Sequence, residues 1–463
     1  MTGTLHSTAP STAVLAALPA ACTTTDPAVL DAYSRDQASW APHGTPVALV
    51  RPTTADEVQQ TVRACYDHHV PVVARGAGTG LAGAANAVDG AVVISFEKMN
   101  RIKKIDTLER YAVVEPGVVN DDLRAACAAE GLWYPPDPAS SHWSTLGGNV
   151  ATNAGGLCCV KYGVTRDYVL ALDIVTGTGE RTQVGRRTAK GVAGYDLVGL
   201  LTGSEGTLAL ATEITVRLRP LQTPPTTIIG SFDSTVDAGN AVRAVARAGL
   251  TPAALELMDR HCLEAIDRWK RMDLSTDANV LLLARTDTLG DSGIEEADAI
   301  VQCFTDSGAT WATRSSDPDE AEALFAARKL AYPAVERLGN VLTEDVCVPK
   351  DQLPAMLAAV EEIAHRNDTY VATIAHAGDG NLHPLIVTTP GDADQETRAR
   401  RAFEEIMDVA LDLGGTITGE HGIGTLKMAG LARELPTAVQ QMQTAIKNAL
   451  DPRGILNPGK VLQ

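Results

Sequence analysis

Between residues 46 and 75 the apolar positions change period twice. Val47-Ala-Leu-Val50 is a short continuous apolar run and predicts a buried strand. Thr54-x-x-Glu57 then opens a stretch with Val58, Val62 and Cys65 at helical spacing, which predicts an amphipathic helix begun by a capping box. Val70-Pro-Val-Val-Ala74 returns to strand character. The same pattern predicts strands at 91–95 and 111–115 and a helix from about Asp121 to Gly131. Residues 132–165 are rich in Gly, Pro, Asn and Ser and are too long for an ordinary connection. Strands and turns resume through 169–219 and close at Arg219-Pro220.

Composition changes after Thr223-Pro-Pro225. Helical periodicity at 237–248, 318–338, 353–366 and 395–413 now alternates with short strands at 227–232, 279–285, 370–376 and 384–388. That alternation predicts an α+β layer and not a parallel Rossmann sheet. The tail, Leu450-Asp-Pro-Arg-Gly-Ile-Leu-Asn-Pro-Gly-Lys460, is turn chemistry that pins the terminus. Four segments result: an N-terminal helical segment over 1–45, then 46–222, 223–415 and a closing segment over 416–463.

Charge and composition exclude several classes. Against 57 Asp+Glu stand 39 Lys+Arg, a net charge of −18, with no basic cluster suited to nucleic acid or an anionic membrane. The eight cysteines include no Cys-x-x-Cys, which argues against an iron–sulfur cluster, a c-type haem or a zinc knuckle and suits thiols in a reducing compartment. The apolar run Ala13–Ala21 has no Lys or Arg before Arg35, so it reads as a first surface helix and not a secretion signal. No apolar run approaches the roughly 20 residues that span a bilayer. A cytoplasmic protein without a transmembrane segment is expected.

Candidate chemistry concentrates in His376-Ala-Gly-Asp-Gly-Asn-Leu-His383, between Val371-Ala-Thr-Ile-Ala375 and Pro384-Leu-Ile-Val387. Two β-prone runs around this punctuation predict a hairpin. With Asp379-Gly380 as a two-residue type I′ turn, His376 pairs directly with His383, and their Cβ atoms lie roughly 5 Å apart on one face. Two imidazoles so placed can share a divalent cation, or simply be satisfied by hydrogen bonds on a half-buried sheet. Gly419-Glu420-His421-Gly422 adds a carboxylate and a third imidazole. On the hairpin alone, a metal-dependent hydrolase is also compatible.

Four glycine-rich segments widen the picture. Gly78-Thr-Gly80-Leu-Ala-Gly83 satisfies G-x-G-x-x-G after a strand, yet only residues 84–90 separate it from the next strand, too few for the crossover helix of a Rossmann unit. Its backbone N–H groups can still cradle a pyrophosphate. Tyr134-Pro-Pro-Asp-Pro138 with Ser144–Gly156, Lys190-Gly-Val-Ala-Gly-Tyr-Asp-Leu197, and Leu201-Thr-Gly-Ser-Glu-Gly-Thr207 each set glycines beside small polar donors. One such loop is a turn; four argue for one extended phosphate-bearing ligand. That ligand leaves the hydrolase reading without an account of the loops.

These motifs, in this order from Tyr33-Ser-Arg-Asp36 to Leu456-Asn-Pro-Gly-Lys460, resemble the FAD-binding oxidases and dehydrogenases of the vanillyl-alcohol oxidase/p-cresol methylhydroxylase superfamily. The resemblance is nearest to the branch holding cytochrome-type D-lactate dehydrogenases and glycolate oxidase flavin subunits. It implies an α+β protein: a two-part FAD-binding domain of the p-cresol methylhydroxylase type over 46–222, a ferredoxin-like substrate or cap domain over 223–415, and a C-terminal segment returning to the flavin. By resemblance Arg75, Gly76, Ala77, Gly78, Thr79 and Gly80 bind the FAD pyrophosphate. Pro136, Asp137, Ser144, Thr145, Gly148, Asn149, Asn153 and Gly155 line the flavin and adenosine path. Glu205, Gly206 and Thr207 lie near the adenine or ribose end, and Asn457 near the isoalloxazine. Relatives with covalent flavin often carry a histidine in the first glycine loop; residues 74–83 have none, which implies non-covalent FAD.

The resemblance also assigns the reacting groups. His376, His383 and Glu420 are the ligands of a divalent metal, zinc or manganese, and Arg328 in Phe325-Ala-Ala-Arg-Lys-Leu330 grips the substrate carboxylate. His421, beside a ligand, is expected to be the base, as an imidazole of near-neutral pKa suits the task. Asn381 orients a ligand or substrate, Asp379 makes the turn, and Tyr195 either faces the flavin or sits in the core. The substrate expected is a small D-2-hydroxy acid such as D-lactate or glycolate, because Asn340–Pro349 offers Glu344 and Asp345 but no cation for a second carboxylate. D-2-hydroxyglutarate oxidation, and a flavin-binding subunit active only with partners, are the alternatives. With no second redox centre in the chain, electrons leave to an external acceptor: a quinone, a cytochrome, a flavoprotein or oxygen. Homodimer formation is left open.

Overall fold

Three short parallel strands carry the first glycine loop. In the computed structural model, which describes residues 12–222, 224–274, 278–315 and 317–462, Val92–Ser95 pairs with Ala48–Val50 on one side and Val72–Arg75 on the other. Helix Ala55–His68 covers them; Thr54 and Glu57 form the expected capping box, and Val58, Val62 and Cys65 are buried. Thr12–Ala17 is helical, and Val14 enters the same core. Residues 1–11 of the expected N-terminal segment, and Thr223 at the expected change of composition, lie outside the described residues. Residues 76–91 contain no helix, so a loop alone joins two neighbouring parallel strands, as the spacing requires. The tail returns to this sheet: Val72 N–H donates to Ile455 O and Asn457 N–H to Val72 O.

A five-stranded antiparallel sheet follows, in the order Ile102–Asp106, Tyr111–Val114, Ala209–Arg217, Val169–Thr176, Arg181–Gly185. Leu123, Cys127, Leu146 and Val150, from helices Asn120–Ala129 and Leu146–Thr152, pack on it. Ile102–Asp106 escapes the hydrophobic pattern because it is an edge strand with exposed lysines.

Beyond residue 225 the strands Thr226–Phe232, Ala254–Asp259, Val280–Thr286 and Trp311–Arg314 take the spatial order fourth, first, third, second, a ferredoxin-like arrangement. Ala254–Asp259 also pairs with Tyr370–His376, which pairs with Asn381–Thr388, and Asn340–Thr343 and Val346–Cys347 pair with the latter to bring the layer to eight strands. Helices Thr235–Arg247, Asp291–Asp306, Leu353–Arg366 and Ala393–Asp412 cover one face, and Arg260–Lys270 and Pro318–Glu336 the other. Ala254 and Met258, Ala372 and Ile374, and Leu385 point to the second face. By alternation Glu256, His376 and His383 point there too, toward the helix that carries Arg328. Among the described residues no helix is long and apolar enough to cross a membrane.

Candidate active site

The hairpin closes on Ala377-Gly-Asp-Gly380, a four-residue turn, so His376 pairs with Asn381 and His383 with Ile374. The direct His376–His383 pairing expected from a two-residue turn is therefore corrected by two positions. Contacts invisible to a local turn rule widen the loop. Gly378 N–H donates to Leu255 O of the neighbouring strand, and Gly380, at φ 81°, sits against the Val348 backbone. A shift of two preserves the face, whereas a shift of one would have separated the imidazoles. They meet diagonally with ring centroids 5.1 Å apart.

Glu420 closes the cluster. Its Oε1 lies 3.2 Å from His376 Nε2 and 3.2 Å from His383 Nε2. Neither ring nitrogen of buried His383 makes a well-directed hydrogen bond among the described residues, although Nε2 faces Glu420 Oε1 at 3.2 Å and Nδ1 faces Asp345 Oδ1 at 3.5 Å. Leaving them so is costly, and a cation would relieve it. Two imidazole nitrogens and one carboxylate oxygen leave coordination positions open and suit zinc or manganese. Asp345, His383 and His421 converge as well. Asp345, however, already accepts from Asn381 Nδ2, Thr418 Oγ1 and the Glu420 and His421 backbone N–H groups. It is better read as the strut of the 418–421 loop.

The strut is itself supported from below. Lys427 Nζ donates to Glu344 Oε2 at 2.7 Å, Ile417 O at 2.6 Å and Asp345 O at 3.2 Å. Burial opposes ionisation of Asp345, but His421, Lys427 and His383 outweigh it and hold the carboxyl well below its usual range. Burial pushes Glu344 up to about 7 against the pull of Lys427. These two acids belong to the site's scaffold, a role their position in the sequence does not reveal. Burial also takes His421 down to about 4, below the near-neutral value expected of it, and favours the neutral imidazole. Its ring stacks on His383 at 4.7 Å.

Arg328 is 3% exposed and pairs through Nη2 with Glu256 Oε2 at 2.9 Å. Both Glu256 oxygens also lie 2.9 Å from His376 Nδ1. Burial disfavours the His376 imidazolium, yet Glu256 and Glu420 overcome it and raise the pKa well above the ordinary value. Glu256 stands one step beyond the Leu257–Ala375 pair, directly across from His376. Sequence reasoning missed it. The available signal was one acid inside the apolar run Ala253-Ala-Leu-Glu-Leu-Met258.

A single cavity of about 670 Å³ joins this cluster to three of the four glycine-rich segments, whereas Lys190–Leu197 is exposed and does not line it, so the expectation that all four serve one ligand is corrected. Its lining includes Arg75 to Gly80, Thr145, Gly148, Asn149, Glu205 and Gly206, together with Arg328, His376, His383, Glu420 and His421. Glu205 stands beside the loop that carries Glu420 and His421, accepting from Ile423 and Gly424 N–H. Asn149 Nδ2 is buried there without a hydrogen-bond partner among the described residues, so the site has polar capacity for a ligand such as FAD. The Arg75 guanidinium donates to Arg35 O, which braces the loop.

The remaining expected residues stand behind the lining. Pro136 and Ser144 are buried, and Asp137 accepts from Cys158. Asn153 caps its helix at φ 53° and Thr207 donates to Ser204 O. Asn457 Nδ2 bridges Ala84 O and Glu205 O. Gly155 lies against Glu420. Tyr195 is 94% exposed, so it neither faces the cavity nor fills a core.

Residues 46–185 match a family described as FAD binding domain, and residues 223–461 match FAD linked oxidases, C-terminal domain. The glycolate oxidase subunit GlcD of Bacillus subtilis (strain 168) is 39% identical over 417 residues, 90% of this chain and 89% of that protein. A D-lactate dehydrogenase of Archaeoglobus fulgidus is 35% identical over 420 residues, 90% of this chain and 91% of that protein. Among solved structures, the 4-ethylphenol oxidase from Gulosibacter chungangensis superimposes with a TM-score of 0.80 at 16% identity, covering 97% of this chain and 95% of its own. A p-cresol methylhydroxylase gives 0.79 at 18%, with the same coverage. At such identities the two structures speak to the fold.

Proposed function

The chain belongs to the FAD-linked oxidases, and from that premise we propose that it oxidises a small D-2-hydroxy acid, of the D-lactate or glycolate type, to the 2-oxo acid. The observation that carries the reading is the single cavity that three of the glycine-rich segments share with the His376–His383–Glu420 cluster. A hydroxy acid held at the cluster would share one cavity with the FAD held by the glycine-rich segments, which would bring donor and acceptor together.

His376, His383 and Glu420 would hold the metal, and residues 75–80 with Thr145, Gly148 and Asn149 the non-covalent FAD. When bound, the two groups supply polarisation of the substrate hydroxyl and acceptance of its α-hydride. Arg328 orients the substrate carboxylate. We assign His421 Nε2, 3.9 Å from Glu420 Oε1, as the atom that takes the hydroxyl proton. Its neutral form suits that step, and Asp345 fixes its backbone. Electrons leave to an external acceptor. A second reading, a flavin subunit that works only with partners, draws on the word subunit in the name of the Bacillus relative.

An anaerobic screen of D- and L-2-hydroxy acids, with and without a chelator, tests the proposal by bleaching of the flavin absorbance. Bleaching by a D-2-hydroxy acid that disappears on metal removal is expected. No bleaching by any acid would favour the partner-dependent subunit, and bleaching indifferent to the chelator would remove the metal from the reaction.

A further inference from the structure

We propose that Glu256 is a positioning residue that ties the metal-holding His376 to the carboxylate-gripping Arg328. The inference rests on the functional reading above. Glu256 is 1% exposed, and ionising a carboxylate at such depth costs several kcal/mol unless it is well paired. Its pairing is divided between two side chains with different tasks. Both oxygens face His376 Nδ1 at 2.9 Å, and Oε2 reaches Arg328 Nη2 at 2.9 Å.

The arrangement has a consequence for each partner. With Nδ1 held by a carboxylate, the ring keeps Nε2 directed at the opposite side, where Glu420 Oε1 stands. Arg328, held through Nη2, keeps its buried Nε–H without a partner among the described residues, a donor left for an incoming carboxylate. The metal grip and the carboxylate grip are thereby held at one separation by one rigid strand residue. A 2-hydroxy acid has its hydroxyl and carboxylate on adjacent carbons, so a fixed separation favours it over a 3-hydroxy acid.

The test uses the flavin-loaded enzyme and its Glu256→Gln, Glu256→Asp and His376→Ala variants. Metal retained after dialysis against graded chelator is measured by elemental analysis, alongside the flavin spectrum, thermal midpoint, KM and kcat. Glu256→Gln is expected to keep the flavin spectrum, to retain metal about 10- to 100-fold more weakly, and to raise KM at saturating metal. Its preference for the 2-hydroxy over the 3-hydroxy acid should also narrow. A residue needed only for folding would lower the thermal midpoint and leave metal retention and KM unchanged in the surviving protein, and that result overturns the proposal. If Glu256→Gln does not fold, Glu256→Asp must show the same direction of change, and wild-type metal retention and KM in that variant overturn it equally. Full metal retention in His376→Ala would instead defeat the metal reading on which the proposal rests.

Discussion

A Cβ built on Gly155 would overlap Oε2 of Glu420, so the glycine-rich 153–156 turn and the carboxylate of the candidate metal cluster occupy adjoining space. Any side chain at 155 must push the carboxylate away from His376 and His383. Gly155→Ala is expected to keep its flavin and lose metal at a lower chelator concentration than the wild type. Elemental analysis across a chelator series, with the flavin absorbance as control, measures this. Unchanged metal retention would mean that Glu420 is not a ligand or has room to relocate.

In the first glycine loop, a Cβ on Gly76 would come within 2.5 Å of Thr145 Oγ1. The hydroxyl of Thr145 is already committed, as it accepts from Gly148 N–H to cap helix Leu146–Thr152. Gly76→Val is expected to separate the two loops and reduce bound FAD well below one per chain, with the cap-domain fold intact. The ratio of flavin to protein absorbance and the circular dichroism spectrum check the two halves of that statement.

Lys427 and Glu344 form a buried pair with side chains 3% and 0% exposed. Removing one partner strands the other, and Lys427→Met is expected to destabilise the protein by about 3–5 kcal/mol in denaturant unfolding. Adding Glu344→Leu should recover part of that loss, because the desolvated acid is gone. A double variant no more stable than Lys427→Met would show that the bonds of Lys427 to Ile417 O and Asp345 O carry most of the stabilisation.

Burial raises Glu205 from 4.5 to about 7, against the two backbone N–H groups of Ile423 and Gly424 that it accepts. The folded chain thus holds this proton more tightly than the unfolded one. Stability from this group is full below about pH 4.5 and is lost as pH rises to about 7, a change on the order of 3 kcal/mol. Thermal midpoints of the apoprotein from pH 5 to 8 should therefore decline relative to those of Glu205→Gln. Parallel profiles would remove Glu205 as the cause.

The elements most legible in the sequence were those whose cause is local. The Thr54–Glu57 capping box, the helix-free glycine loop after Val72–Arg75 and the helices near 235, 353 and 393 follow from caps, turn residues and period. Ala254–Asp259, Arg260–Lys270 and Thr437–Leu450 are less legible: Glu256 interrupts the apolar run of the first, charged residues crowd the second, and the third has no buried face to set a period. His376, His383, Glu420 and His421 stood out as donor types on glycine-framed turns, and the fold brings all four to one cavity.

What the sequence determined by itself was therefore the order of its elements, the glycine-rich loops and the inventory of donors, since each is encoded within short stretches of chain. Only the tertiary structure decided the hairpin register, the place of Gly155 against Glu420, the exposure of Tyr195 and the contacts of Glu256 and Asp345. Periodicity states which face of a strand is buried, but not what it meets there. Glu256 reaches His376 across 120 residues of chain and Asp345 reaches His421 across 76, separations over which no local pattern carries information.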